Sequence, residues 1–119
     1  MEITKQEIIK GGEFITKETQ SDEIFTPEDF SEEQKMMRDA VKDFTDKEIW
    51  SKKHEFETHN YQLTADVMKK AGNLGFLGVN VPEEYGGLGM PFTSSMLVCD
   101  YISGSSGSTS TAFGAHTGI

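Results

Sequence analysis

The stretch Leu74-Gly75-Phe76-Leu77-Gly78-Val79-Asn80-Val81-Pro82-Glu83-Glu84-Tyr85-Gly86-Gly87-Leu88-Gly89 decides how the rest of the chain reads. It has no repeat and no amphipathic period. Five glycines in sixteen residues flank a short apolar segment and a Pro-acid-acid-aromatic-Gly-Gly turn. Glycine gives up more backbone freedom on folding than any other residue, so this density marks special backbone geometry or close approach of other atoms. The stretch is not a phosphate cradle of a known kind. Gly87-Leu88-Gly89 runs on into Met90-Pro91-Phe92, so G-x-G-x-x-G fails at its last position, and no G-K-[ST] follows. Two readings stand: a sharp connection between helices, or such a connection that also touches a ligand.

Outward from the loop the chain reads as helices. On its N-terminal side a helix is predicted from about Thr64 to Ala71, with Val67, Met68 and Ala71 inward and Gly72 as a left-handed end. Before it, 54–62 is polar and reads as a loop. Ser31-Glu32-Glu33-Gln34 is a capping box that opens a helix to about residue 53. Met37, Val41 and Phe44 recur on one face of it, and Asp43 and Lys47 form a helpful i,i+4 pair. Thr26-Pro27-Glu28-Asp29 has the chemistry of a helix start. On the far side, Pro91 precedes a helix over about 92–103, with Met96, Leu97 and Tyr101 as packing candidates. Gly104-Ser105-Ser106-Gly107-Ser108 reads as a turn with Ser106 or Ser108 as cap. A fourth helix begins near Thr109 and meets no stop signal before Ile119, which reads as part of a longer chain. Residues 1–25 read as an arm, broken at Gly11-Gly12, that Phe14, Ile15, Ile24 and Phe25 would pin to the helical body at 26–119.

Composition narrows the function. The net charge of −9, from 20 acids and 11 bases, argues against nucleic acid and anionic membrane surfaces as partners. No apolar run approaches the ~20 residues of a membrane span. The single cysteine, Cys99, excludes an internal disulfide. Met1-Glu2-Ile3-Thr4-Lys5 lacks the pattern of a signal peptide, so a bacterial cytoplasmic protein is expected. Residues 71–119 carry only Glu83, Glu84 and Asp100 as charges. So neutral a half-chain predicts helices buried against another domain or subunit.

No self-contained active site can be assembled. Glu83 and Glu84 are adjacent on a turn and do not face each other, so they read as solvated turn residues rather than an acid-base pair. His54, His59 and His116 have no i,i+4 partner, which argues against metal ligation. Cys99 reads as a small core residue.

The loop's V-P-E-E-Y-G-G-L-G run resembles the inter-helix turn in the N-terminal domain of acyl-CoA dehydrogenases. Ser31-Glu32-Glu33-Gln34 with its helix is similar to the family's opening helix. Thr109-Ser110-Thr111-Ala112-Phe113-Gly114-Ala115-His116 resembles its fourth. Lys10-Gly11-Gly12-Glu13-Phe14 looks most like the very-long-chain branch. Asp100 departs from the pattern, since relatives often carry Glu there.

The resemblance implies an all-α, bundle-like N-terminal domain, cut before the family's β domain and C-terminal helical domain. It implies α,β-dehydrogenation of a fatty acyl-CoA in β-oxidation, with FAD as redox cofactor and an electron-transferring flavoprotein as acceptor. Apolar surface left exposed by truncation makes self-association into a homo-oligomer an expectation as well. The catalytic Glu and most FAD contacts belong to the later domains, so no catalytic residue is assigned here and the fragment alone is expected to be inactive. By motif alignment Ser110, Thr111, Gly114, Ala115 and Gly118 form one wall of the acyl-chain pocket. Ser110, Gly114 and Gly118 fall on one helix face. Their small size suits either a deep channel for long chains or close helix packing. The rival is a freestanding helical binding or assembly module without redox chemistry.

Overall fold

The computed structural model describes residues 8–118, and all structural statements concern those residues. The start of the arm, residues 1–7, and the last residue, 119, lie outside them. The described residues form helices and turns with no strand, the all-α architecture expected.

Two compact units divide near residue 32. In the first, three short 3₁₀ turns cover Glu13–Ile15, Ser21–Glu23 and Pro27–Asp29. One local device recurs: an acid accepts the backbone N–H of the residue three before it, which at Gln20 and Thr26 is the residue that opens the 3₁₀ turn. Glu13 serves Lys10 at 3.2 Å, Glu23 serves Gln20 at 2.6 Å, and Asp29 serves Thr26 at 2.8 Å. Lys17, by its hydrogen bond first, holds the Glu13 carboxyl below the usual glutamate range. Ile9 N–H donates to the Glu23 carbonyl, and Phe25 meets Phe30 edge-on at 5.2 Å. Thr26-Pro27-Glu28-Asp29 therefore starts a single 3₁₀ turn rather than a helix. Phe14, Ile15 and Phe25, expected to be pinned down, are exposed.

The second unit holds α1 (Glu32–Glu48), α2 (Lys53–Glu57), α3 (Tyr61–Asn73), α4 (Phe92–Ser105) and α5 (Gly107–Gly118). Val41 and Phe44 of α1 are buried as their spacing predicts, and Met37 is half-buried against the same core. α1 ends five residues earlier than expected. Ile49 turns fully inward, and the chain tightens through a 3₁₀ turn at Trp50–Lys52 into α2. The expected loop over 54–62 is thus in part a helix. Its Phe56 is 2% exposed, and burial of a ring that size contributes roughly 2–3 kcal/mol. Asn60 caps α3 by accepting the Leu63 N–H at 3.1 Å.

α3 runs two residues past Ala71, so Gly72 is helical and does not end it. The left-handed residue is Gly75, with φ 83°. Phe76 N–H bonds the Ala71 carbonyl and Gly75 N–H the Gly72 carbonyl, the paired pattern of a Schellman end. Phe76 then meets Phe44 edge-on at 5.5 Å. On α4, Leu97 is buried and Tyr101 half-buried, but Met96 is 45% exposed. Val98 and Ile102, next to the expected positions, carry the packing instead. Gln34 of α1 is buried, and its amide donates to Ser94 at 3.0 Å and Thr93 at 3.2 Å, tying α1 to the start of α4.

Candidate functional site

Between α3 and α4 the glycine-rich loop closes on its own backbone. Leu88 N–H donates to the Gly78 carbonyl, Gly89 N–H to Val81 and Met90 N–H to Val79, all at 2.8–2.9 Å. Gly87 N–H bonds Pro82, and Gly86 N–H bonds Glu83. Gly86 and Gly89 take left-handed φ values of 84° and 62°. At Gly87 the reason is proximity: a Cβ there would lie 2.5 Å from the Val81 carbonyl carbon and closer still to its oxygen. The five amides from Gly86 to Met90 thus all donate to carbonyls of the same loop. That favours the structural reading and leaves none of these five amides free to cradle a pyrophosphate. Glu83, Glu84 and Tyr85 form an exposed 3₁₀ turn, as expected of solvated turn residues.

The connection between α4 and α5 is tighter than predicted. Ser106 alone is non-helical, with φ −159° and ψ 130°, and Gly104, Ser105, Gly107 and Ser108 belong to the helices. Ser106 is buried and its carbonyl accepts the Ser110 N–H at 2.9 Å. On α5 the buried side is made by Thr109 and Phe113. The opposite side carries the predicted wall. Ser110 and Gly114 are half-buried, and Thr111, Ala115 and Gly118 are exposed. A Cβ on Gly114 or Gly118 would meet nothing within 4 Å, so within this chain close helix packing does not account for either glycine.

The wall's two hydroxyls are already engaged. Thr111 Oγ1 donates to the Gly107 carbonyl one turn back at 3.0 Å. Ser110 Oγ donates across to Ser103 Oγ on α4 at 2.9 Å. Cys99, half-buried against the core, lies one turn before Ser103 with its Sγ 3.7 Å from that hydroxyl. Ser103 was not singled out from the sequence. A serine seven residues before Ser110, across a one-residue connection, is the signal that identifies it in retrospect.

Two further features lie away from α5. Glu48 of α1 accepts from Lys70 of α3 at 2.7 Å and from Lys52 at 3.0 Å. These bonds, Lys70 first, hold its carboxyl below the usual glutamate range. An open apolar groove of about 330 Å³ runs between α1 and the glycine loop, lined by Met36, Met37, Leu74, Leu88 and Met90. His54, His59 and His116 are exposed and separate, and no group of three or more potential metal ligands occurs among the described residues. Nor is any described helix long and apolar enough to cross a membrane.

Comparison with known proteins gives these features a context. The family model for the acyl-CoA dehydrogenase N-terminal domain matches residues 31–119. A Bacillus subtilis protein named "Probable acyl-CoA dehydrogenase" is 40% identical over 95% of this chain and 19% of its own length. The mitochondrial isovaleryl-CoA dehydrogenase of Pongo abelii is 34% identical over 75% of this chain and 21% of its own. A crystal structure of an acyl-CoA dehydrogenase complexed with FAD from Bacillus anthracis superposes with a TM-score of 0.82 at 41% identity, over 93% of this chain and 19% of that one. The chain therefore spans about a fifth of the length of these relatives. They do not single out the very-long-chain branch that residues 10–14 suggested.

Proposed function

Because the chain belongs to the acyl-CoA dehydrogenase family, we propose that it is the N-terminal helical part of an enzyme that dehydrogenates a fatty acyl-CoA between its α and β carbons. In this reading residues 26–119 form the domain and α5 lines the acyl channel with Ser110, Thr111, Gly114, Ala115 and Gly118. The observation that carries it is the open space above Gly114 and Gly118 on a face whose hydroxyls are turned to protein acceptors. Such a face gives a methylene chain room and apolar contact, and its role is to position the thioester end and exclude water. The depth left by glycine suits long chains.

FAD is the cofactor this reading assigns to the complete protein, supported by the FAD-bound relative. When bound it supplies the redox chemistry of the dehydrogenation. The amides from Gly86 to Met90 do not fit its pyrophosphate, because all five are bonded within the loop. Most FAD contacts and the catalytic base are expected in the parts of the complete protein that this chain does not span, and the fragment alone is expected to be inactive. An electron-transferring flavoprotein as acceptor, a homo-oligomeric parent, a role in β-oxidation and a bacterial cytoplasmic location belong to the same proposal.

A second substrate reading has its own support. Isovaleryl-CoA dehydrogenases from three organisms are each 34% identical to this chain over three quarters of its length. One experiment separates the readings: reduction of bound flavin in the complete protein, followed by its loss of colour, with isovaleryl-CoA and a straight-chain series from short to very long. Fastest bleaching by long chains is the expected result. Bleaching by isovaleryl-CoA alone would favour the second reading. A complete protein with neither flavin nor bleaching would favour the non-enzymatic module, which family membership otherwise disfavours.

A further inference from the structure

We draw no further inference here: the strongest candidate, the open apolar groove between α1 and the glycine loop lined by Met36, Met37, Leu74, Leu88 and Met90, carries nothing because nothing in the structure shows what covers it.

Discussion

A methyl group added to Gly87 would lie 2.5 Å from the Val81 carbonyl carbon, whereas one added to Gly114 would meet nothing within 4 Å. The loop and α5 are both rich in glycine and both nearly free of charge, yet they use the residue for opposite reasons. In the loop the missing side chain lets two stretches of backbone touch and exchange the bonds from Leu88 to Gly78 and from Met90 to Val79. In α5 the missing side chain leaves room beside the helix, although glycine inside a helix is less favourable than alanine. The first kind of glycine serves the fold; the second leaves open space beside α5, which the proposed function assigns to an acyl chain.

That difference is testable, beginning where it is largest. Gly87→Ala should destabilise the chain by about 3 kcal/mol or more, because the overlap is with backbone that has no rotamer to move. A denaturant midpoint close to wild type would break the comparison at its stronger end. Gly75→Ala should cost about 1–2 kcal/mol, since φ 83° is costly for an L side chain and the new methyl would sit 3.2 Å from Leu88 Cδ1. Gly114→Ala reverses the sign. Thermal unfolding of the 119-residue chain should show a gain of about 0.5–1 kcal/mol, as expected for replacing glycine inside a helix.

Glu48→Gln sets a baseline away from both regions. The Glu48 carboxyl is held below its ordinary value of 4.5 by Lys70 and then Lys52. A depressed acid contributes stability above its unfolded value and loses it as pH falls through the folded one. The variant should therefore be less stable than wild type at neutral pH, by under about 1 kcal/mol because the groups are partly solvated. The gap should close as pH drops below 4.5. Melting curves across that range would expose a gap that persists in acid.

Much of the loop and of α1 is legible in the sequence, because both depend on local rules. Val41 and Phe44 follow helical spacing, and a Pro-acid-acid-Tyr-Gly-Gly run has few backbone solutions. Two glycines stand three apart at the end of α3, so the sequence does not show which one is left-handed; the Schellman bonds to Ala71 and Gly72 identify Gly75. α2 was hidden in a polar segment, where the single signal was Phe56 seven residues, or two helical turns, after Ile49. On α4 nearly every position is apolar or small, so periodicity did not distinguish Met96 from Val98. The bond between Ser103 and Ser110 is not legible for another reason: the two lie on different helices, and the Gly-Ser run between them has the composition of a five-residue turn although Ser106 alone is non-helical. The positions of the proposed wall came from family motifs, and the open space beside its glycines came from the fold.

The central claim is that α5 offers its open face to an acyl chain. The most direct measurement is substrate-driven bleaching of bound flavin in the complete enzyme carrying Gly114→Glu, against wild type, over straight-chain acyl-CoA substrates from short to very long. The account predicts that short substrates still bleach the flavin at close to the wild-type rate while long ones slow by about tenfold or more. An equal slowing at every length would contradict it.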